Sequence, residues 1–361
     1  MKIDIFRVFF RWYLKEKCIC RSEIDINSID TILVMSNTAI GDTLFSTPAI
    51  RSIKEKYPQK KIVVLLNPIN YQLFKNNPYI DKVVLYRGKW KDFFRVVFQL
   101  RRLGVNLTFI MHSNEPQATP MAYCIGSKYI IKIPNDSNEF NFLHYNQPVS
   151  AESGEHFIDR RLKQLEYIGI HERRNYKMDI FPDPEWYSTI NSLLGGCYIY
   201  IGFQMGASTK SRMWFIDKWI DLAEKLLSQN KKWCIVLTGS KSDQFLSYSL
   251  WSKVRHNDRV IDCAGRLDIG PAAALIDKLD LLVTLDTGPL HIAAAMNTPT
   301  VAISVAGSAV ESNPRSDNIP HIFIQKPKTC TPCLDKKCKD QRCMLQVTTD
   351  EVFHHVCNIV Q

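Results

Sequence analysis

The chain has 361 residues, of which 45% are hydrophobic and 23% charged, a balance that excludes a disordered or fibrous protein and suggests two globular domains. No apolar run reaches the about 18 residues of a membrane-spanning helix and no signal-peptide cleavage pattern follows the first segment, so we expect a cytoplasmic protein. The net charge of +10 suits an anionic partner, and nucleic acid is disfavoured because zinc-finger, basic-zipper and aromatic RNA-binding signatures are missing from the sequence.

The first predicted element is a basic amphipathic segment over residues 1–27. Within it, residues 1–21 hold six basic and two acidic side chains, a net charge of +4. Large apolar residues at helical spacing predict one apolar helix face, made of Phe6, Phe9, Phe10, Tyr13 and Leu14. The pattern fits peripheral contact with an anionic membrane surface and fits a terminal helix packed on the protein body equally well. A second basic stretch, residues 87–102, holds six basic and one acidic side chain, a net charge of +5.

Short apolar runs of strand type alternate with helical patterns along the rest of the chain. The first half holds TILVM, KIVVLL, KVVLY, LTFIMH and KYIIKI, and the second half holds CYIYIGF, WCIVLTG, RVIDCAG, LLVTLD and TVAISV. This rhythm predicts an α/β protein with two doubly wound, Rossmann-like domains facing a cleft. The polar, proline-bearing stretch near residues 170–184 marks the expected boundary, and residues 134–155 are predicted to form a long loop over a ligand.

The first candidate site follows the run TILVM, in SNTAIGDTLFSTPAIRSIKEKYP. Asp42 lies here, at the point where a strand hands over to a helix. As an N-cap residue, it would accept backbone N–H bonds and meet the positive end of the helix dipole. Alternatively it would face a substrate, because the carboxyl ends of parallel strands open onto the ligand crevice of α/β folds.

Two loops of the second half are the next candidates. GFQMGASTKSRMW follows a strand and offers hydroxyl and cationic side chains to an anion: Ser208, Thr209, Lys210 and Arg212. In LLVTLDTGPLHIAAAMNTPTVAIS, Asp286, Thr287 and Gly288 turn into a helix whose free backbone N–H groups can bind phosphate. Neither loop has the spacing of a Rossmann or P-loop fingerprint, and a histidine such as His291 is more often an internally satisfied helix residue than a catalytic one.

The last feature is a cysteine cluster in CTPCLDKKCKDQRCM. Eleven cysteines in a reducing compartment stay mostly as thiols, so clustering favours metal binding over disulfides. Spacings of two, four and four intervening residues separate the four members, Cys330, Cys333, Cys338 and Cys343. Four thiolates suit a tetrahedral zinc or iron site, which would be structural because it leaves no open position for substrate, and free thiols are the alternative.

Three stretches together resemble the successive sequence blocks of glycosyltransferase family 9, the heptosyltransferases of lipopolysaccharide synthesis: GDTLFSTPAIRSIKEKYP, GASTKSRMW and DTGPLHIAAAMNTPTVAIS. The resemblance spans residue 31 to about residue 355 in the expected order. It implies an inverting glycosyltransferase of the GT-B fold, whose chemistry requires no metal or other cofactor. The domains expected from it are an acceptor-binding domain over 28–175, a nucleotide-sugar-binding domain over 176–345 with the Cys-rich segment 330–343, and a closing helix over 346–361.

The resemblance also implies roles for single residues. Asp42 matches the catalytic carboxylate that takes a proton from an acceptor hydroxyl, with Gly41 and Thr43 beside it on the acceptor side. Arg212 matches the phosphate-binding basic residue, and Lys210 is its local competitor. The other donor-binding positions are Ser208, Thr209, Asp243, Asp286, Thr287, Gly288 and His291. Some related enzymes are thought to bind iron through a similar Cys-rich segment. The chain departs from the family in SNTAIGD, which lacks an arginine before its GD pair, and in FQMGAS, which lacks a proline before its glycine.

The implied reaction is transfer of heptose from ADP-L-glycero-D-manno-heptose to a lipopolysaccharide core or related anionic, lipid-linked saccharide. Such an acceptor would bring the protein to the inner face of the inner membrane, and both basic stretches would suit it. One alternative is a glycosyltransferase of the same fold that uses another nucleotide sugar or a protein acceptor. Another is a non-catalytic sugar-nucleotide-binding protein, which is disfavoured because Asp42 is retained.

Overall fold

The computed structural model of the protein describes residues 5–15, 17, 22–133, 138–145, 154–171, 175–195, 199–305, 308–316, 318–330 and 338–360. The chain divides into two compact units, Met1–Asp179 and Ile180–Gln361. The division falls four residues after the expected boundary between residues 175 and 176. Of the predicted ligand loop over residues 134–155, residues 138–145 and 154–155 are described. They include a 3-10 helix, Asn141–Leu143, and Phe140 and Leu143 are buried in the core of the N-terminal unit, so this part packs on the protein body.

The N-terminal unit contains a five-stranded parallel sheet in the order β3-β2-β1-β4-β5. Its strands are β1 (Thr31–Ser36), β2 (Lys61–Leu66), β3 (Lys82–Leu85), β4 (Leu107–His112) and β5 (Tyr129–Lys132). Its helices are α1 (Ile5–Leu14), α2 (Ile40–Leu44), α3 (Thr47–Lys56), α4 (Tyr71–Phe74), α5 (Trp90–Arg101), α6 (Ala118–Cys124) and α7 (Phe157–Lys163). β1 and β5 are buried along their whole length, as expected of parallel strands covered on both faces. The five runs predicted in the first half correspond to these strands.

The C-terminal unit contains a six-stranded parallel sheet in the order β11-β10-β9-β6-β7-β8. Its strands are β6 (Ile199–Gln204), β7 (Trp233–Thr238), β8 (Val260–Asp262), β9 (Leu281–Leu285), β10 (Thr300–Ser304) and β11 (His321–Gln325). Its helices are α8 (Pro184–Leu193), α9 (Ile216–Gln229), α10 (Gln244–Trp251), α11 (Ile269–Asp277), α12 (Gly288–Ala295), α13 (Ala309–Ser312), α14 (Arg342–Leu345) and α15 (Thr349–Ile359). The sequence predicts the first five of these strands. It misses β11, an edge strand of sequence HIFIQ in which Ile324 is the buried residue.

The N-terminal helix α1 belongs to the N-terminal unit. Phe10 and Leu14 are buried in the core of this unit, and the ring of Phe10 stacks on Trp90 of α5 with centroids 5.6 Å apart. By contrast, Phe6, Phe9 and Tyr13 remain exposed. The large apolar residues of α1 thus divide between the protein body and the solvent.

A buried ion pair secures the last residues of the N-terminal unit. The Arg51 guanidinium on α3 pairs with the Asp179 carboxylate and donates hydrogen bonds to the backbone oxygens of Asn175 and Lys177, at 3.1 and 3.0 Å. The backbone N–H of Asp179 donates to the Thr47 hydroxyl at 2.9 Å. These contacts hold residues 175–179 against α3, the helix that follows the loop containing Asp42.

The closing C-terminal helix is part of the C-terminal unit. Helix α15 packs against α9, and Val352 and Val356 are buried in the same core as Leu222 and Leu226. None of the helices in the described part of the chain has the length and apolar content to cross a bilayer.

Candidate functional site

In each unit, polar loops gather where the strand order reverses. In the N-terminal sheet the chain runs outward from β1 through β2 to β3, then continues on the other side of β1 with β4 and β5. In the C-terminal sheet the same reversal lies between β6 and β9. Ligands of open parallel sheets bind beyond the carboxyl ends of the strands at such a point. The loops that follow β1, β4, β6 and β9 are therefore the candidate binding loops.

Asp42 lies in the first turn of α2, directly after β1. The N-cap residue of this helix is Ala39, so the interpretation of Asp42 as an N-cap is wrong. One carboxylate oxygen, Oδ2, lies 3.7 Å from Nδ1 of His112, and the other, Oδ1, lies 3.9 Å from Nη2 of Arg161. In the described part of the chain no group donates a hydrogen bond to this carboxylate, and its side chain is 29% exposed. The oxygens can therefore accept a proton from a bound ligand.

Arg161 of α7 is the cation behind Asp42. Its guanidinium is buried and donates three hydrogen bonds: to the Ser46 hydroxyl at 3.0 Å, the Phe157 backbone oxygen at 2.8 Å and the Asp42 backbone oxygen at 3.1 Å. Burial lowers the pKa of Arg161 to about 10, opposed by the charge of Asp42, so the side chain stays ionised at neutral pH. Arg161 thus fixes the backbone that carries Asp42 and places a positive charge beside its carboxylate.

His112 ends β4 on the other side of Asp42. Its Nδ1 lies 2.6 Å from the Thr38 hydroxyl, which ties the end of β4 to the loop after β1. Burial lowers the pKa of His112, with Arg161 and Lys132 acting in the same direction and Asp42 against it. The imidazole is therefore neutral at pH 7. His112 is a site residue beyond those predicted, and its signal in the sequence is a histidine that closes the run LTFIMH at the carboxyl end of a strand.

Gly41 and Thr43, predicted on the acceptor side, are both buried. The Thr43 hydroxyl donates to the backbone oxygens of Ser36 and Ala39, at 3.1 and 3.0 Å, and accepts from the Asn70 side-chain amide at 2.9 Å. With these partners Thr43 fixes the shape of the Asp42 loop. Its direct contact with an acceptor stays a prediction.

A basic cavity of about 600 Å³ lies beside β3 in the N-terminal unit, where Val83 and Leu85 line it. Its lining includes four cations, one carboxylate and one phenol ring: Arg87, Lys89, Lys91, Arg95, Asp92 and Tyr71. Hydrogen bonds connect its surroundings to the Asp42 loop, since the Asn37 amide donates to the backbone oxygen of Tyr86 at 3.3 Å and the Asn70 amide to that of Thr38 at 3.2 Å. The basic stretch 87–102 thus forms part of a concave anion-attracting surface.

The two predicted donor loops of the C-terminal unit approach each other at its switch point. Arg212 is half-buried in the loop after β6, and Asp286 directly follows β9. Burial raises the pKa of Asp286, while the nearby charge of Arg212 and a hydrogen bond from the Ser304 hydroxyl at 3.5 Å oppose this shift. Ser208 and Lys210 are exposed. Arg212 is therefore the better placed of the two predicted phosphate-binding cations.

The start of α12 forms the other side of this switch point. Thr287 is the N-cap residue, and its hydroxyl donates to the Leu285 backbone oxygen at 3.3 Å. Gly288 is the first helical residue, so its N–H has no acceptor within the helix, and Pro289 fixes the first turn. The turn can offer one backbone donor to an anion. His291 is buried on α12, and its contact with a donor stays a prediction.

Asp243, predicted to contact a ribose, is engaged within its own loop. One of its oxygens accepts from the Ser240 backbone N–H at 2.8 Å and from the Ser240 hydroxyl at 2.7 Å, which caps a short 3-10 helix. The other oxygen lies against Gly206, where a Cβ atom would come within 2.1 Å of it. Asp243 thus shapes the loop after β6, and its ribose contact stays a prediction.

Replacing Arg212 with Gln is expected to weaken ADP binding by about 10- to 100-fold, because a charge-assisted hydrogen bond to a phosphate contributes roughly 1.5–3 kcal/mol. Lys210→Gln is the matched control, and we expect a change of less than about threefold because exposed charges interact weakly. Isothermal titration with ADP measures both. An equal or larger loss from Lys210→Gln would assign the phosphate contact to Lys210 instead.

The Cys-rich segment is attached to the loop after β6. The Gln341 side-chain amide donates to the backbone oxygens of Lys210 and Met213, at 2.7 and 2.9 Å. Close by, the Lys218 ammonium and the Trp214 indole N–H both donate to the Val347 backbone oxygen, at 2.6 and 3.2 Å. The segment therefore supports the loop that carries Arg212.

The four-cysteine site stays a prediction, because Cys333 lies outside the described residues. Cys330 and Cys343 both lie beside the Thr329 hydroxyl, at 3.7 and 3.2 Å, and hydrogen bonding from Thr329 lowers the pKa of the Cys343 thiol. Cys338 donates to the Asp340 backbone oxygen at 2.7 Å. Over the described ranges no group of three or more metal-binding side chains comes together.

The chain is similar to proteins of a known family. The family model described as glycosyltransferase family 9 (heptosyltransferase) matches residues 109–344. In sequence, the chain is similar to lipopolysaccharide heptosyltransferase 3 of Escherichia coli (strain K12), with 24% identity over 294 residues, 77% of this chain and 83% of that protein.

Two solved structures are similar to it over nearly their whole length. The glycosyl transferase family 9 protein from Veillonella parvula DSM 2008 has a TM-score of 0.81 and 18% identity, covering 92% of this chain and 97% of that chain. The E. coli ADP-heptose lps heptosyltransferase II has a TM-score of 0.72 and 17% identity, covering 91% and 98%. At these identities the likeness establishes the fold, and the predicted two-domain α/β fold of GT-B type is confirmed.

Proposed function

The chain belongs to glycosyltransferase family 9 and is a glycosyltransferase, and from this premise we propose that it transfers heptose from ADP-L-glycero-D-manno-heptose to an anionic, lipid-linked saccharide of the lipopolysaccharide core type, with inversion at the anomeric carbon. The observation that carries the proposal is the position of Asp42 at the switch point of its sheet, half-buried between Arg161 and His112. The names of similar proteins, which are lipopolysaccharide heptosyltransferases, support heptose as the sugar.

In the proposed reaction Asp42 is the general base. An acceptor hydroxyl attacks the anomeric carbon and forms the new C–O bond, while its proton passes to the Asp42 carboxylate. The bond from the anomeric carbon to the phosphate oxygen breaks on the opposite face, and ADP leaves with the electron pair. Arg161 holds the backbone of Asp42 through its hydrogen bond to the Asp42 backbone oxygen and places a positive charge 3.9 Å from one carboxylate oxygen, while the neutral His112 lies 3.7 Å from the other.

The departing ADP needs its negative charge compensated. Arg212 supplies a cation, the N–H of Gly288 supplies a backbone donor, and Ser208 or Thr209 supplies a hydroxyl. Asp286 would orient the nucleoside or sugar. These groups act without a metal ion in the chemical step, and the four-cysteine segment would have a structural role only.

The basic cavity supports an anionic acceptor. A concave surface with four cations and one carboxylate attracts phosphate or carboxylate groups of a saccharide, and its surroundings are hydrogen-bonded to the loop that carries Asp42. An acceptor held there by its charged groups would present a hydroxyl near the base. A lipid-linked acceptor of this type lies at the inner face of the inner membrane.

Thermal stabilisation by a panel of nucleotide sugars tests the donor. ADP-heptose at about 100 times its dissociation constant should add roughly 2.7 kcal/mol to the free energy of unfolding, whereas UDP- and GDP-sugars should add little. Preferential stabilisation by a UDP- or GDP-sugar would overturn the heptosyltransferase assignment while leaving the fold in place. Binding of ADP-heptose without transfer to any saccharide would favour a sugar-nucleotide-binding protein.

A further inference from the structure

Helix α1 carries two apolar stripes, of which one is used in folding. The inner stripe contains Phe10 and Leu14, both buried, and Phe6, whose ring stacks on Trp90 with centroids 5.2 Å apart. The outer stripe consists of Ile5, Val8, Phe9 and Trp12, which follow the i, i+3, i+4, i+7 spacing of one helix face. Ile5 and Trp12 are 76% and 74% exposed, so the outer stripe lies in solvent.

The exposed apolar area continues from α1 onto α5. The ring of Phe94 lies 6.4 Å from that of Phe6, and both Phe94 and Phe98 are more than half exposed. On α5 the buried side chains Phe93 and Val96 face the core, which leaves Phe94 and Phe98 on the outer side. We name Ile5, Val8, Phe9, Trp12, Phe94 and Phe98 the α1/α5 surface. Contiguous exposed apolar groups on this scale mark an interaction site.

The charged side chains near this surface indicate what kind of partner it binds. Exposed cationic side chains lie on or directly after the two helices: Arg11, Lys15, Arg101 and Arg102. Arg7 and Arg95 lie on the same helices and pair with Glu139 and Asp92. The Arg102 guanidinium lies 4.2 Å from the centre of the Phe98 ring, so charge and apolar area are interleaved. A second copy of the chain would bring two such basic faces together, whereas an anionic bilayer complements them. Aromatic and basic side chains on a helix lying in the membrane interface form the same combination.

We propose that the α1/α5 surface docks on an anionic phospholipid bilayer, with Trp12 and Phe94 inserted at the level of the headgroups. This inference rests on one part of the proposed function, the lipid-linked acceptor. Helix α5 connects the two, because its residues Lys91 and Arg95 line the basic cavity that would hold the acceptor. Docking through the exposed side of α5 brings that cavity next to the lipid surface. Acceptor binding and membrane binding then share one helix.

Vesicle flotation of the full chain, without nucleotide or saccharide, tests the docking. We expect binding to vesicles of phosphatidylethanolamine and phosphatidylglycerol and little binding to phosphatidylcholine vesicles. The double variant Trp12→Ser/Phe94→Ser should bind the anionic vesicles about tenfold more weakly, since each buried apolar side chain contributes to partitioning. Phe245→Ser is the matched control, because Phe245 on α10 is also 76% exposed and should have no effect. Both Trp12 and Phe94 are exposed, so the thermal midpoint should not change.

Two results would overturn the docking proposal. Equal binding by the wild type and the double variant would remove the α1/α5 surface from membrane contact. Self-association in sedimentation that depends on Trp12, without vesicle binding, would assign the surface to a second copy of the chain. Either result leaves the donor test untouched, because thermal stabilisation by ADP-heptose is measured without lipid. Quenching of Trp12 fluorescence by brominated phospholipids, taken as the difference between the wild type and Trp12→Phe, would support insertion directly.

Discussion

Replacing Asp42 with Asn is expected to lower the rate of glycosyl transfer by about 10²- to 10⁴-fold, the usual contribution of a positioned general base. Asn has nearly the same shape as Asp, so the hydrogen bond from Arg161 to the backbone oxygen of residue 42 should persist. The amide has no basic oxygen that can take the acceptor proton. Single-turnover measurement of transfer with saturating donor reports this loss without a contribution from product release.

Donor binding separates a catalytic role of Asp42 from a structural one. We expect the dissociation constant for ADP to be unchanged in Asp42→Asn, because the predicted donor groups lie on other loops. Glu55→Gln, which removes an exposed carboxylate of α3, serves as the control and should transfer at the normal rate. Turnover by Asp42→Asn within a few-fold of the wild type would show that Asp42 is not the base.

The strands could be predicted because parallel strands that are buried on both faces consist mostly of apolar residues. β1 and β9 are buried along their whole length and consist mostly of apolar residues, and the residues that follow them form the candidate loops with Asp42 and Asp286. β11 was missed although its residues HIFIQ include three consecutive apolar side chains, of which Ile324 is buried. The position of Asp42 in its helix was not fixed by the sequence either, since the helix begins after Ala39, a residue without a capping side chain.

The residues that contact Asp42 could not be predicted from the sequence, for a different reason. Arg161 lies 119 residues from Asp42 in the chain, and in FIDRRLK nothing distinguishes it from Arg160. Its approach to the Asp42 loop is a product of how α7 packs, which local patterns do not encode. The division of the apolar residues of α1 between core and solvent could not be predicted for the same reason. The sequence shows which residues are apolar but not which of them the rest of the protein covers.

Replacing Arg161 with Met is expected to lower the free energy of unfolding by about 3 kcal/mol and the transfer rate by about 10- to 100-fold. Met fills a similar volume but donates no hydrogen bonds, so the Ser46 hydroxyl and the backbone oxygens of Phe157 and Asp42 each lose one donor, and the Asp42 oxygen keeps the bond from the Ser46 hydroxyl. The loop is then free to shift the carboxylate from its position. Chemical denaturation and single-turnover transfer, at a temperature where the variant is folded, measure the two effects.

Two further variants decide what Arg161 does. Arg161→Lys keeps the charge without the planar fork of donors, and we expect it to resemble Arg161→Met more than the wild type. Arg160→Met is the matched control on the same helix; Arg160 lies over the Phe157 ring, 5.1 Å from its centre, and its loss should cost less than about 1 kcal/mol and leave transfer unchanged. If a variant of Arg161 is destabilised but transfers at the normal rate when folded, Arg161 contributes to stability and not to catalysis. Loss of transfer with unchanged ADP binding would instead establish Arg161 as a positioning residue for the base, because ADP binding does not depend on where the Asp42 carboxylate lies.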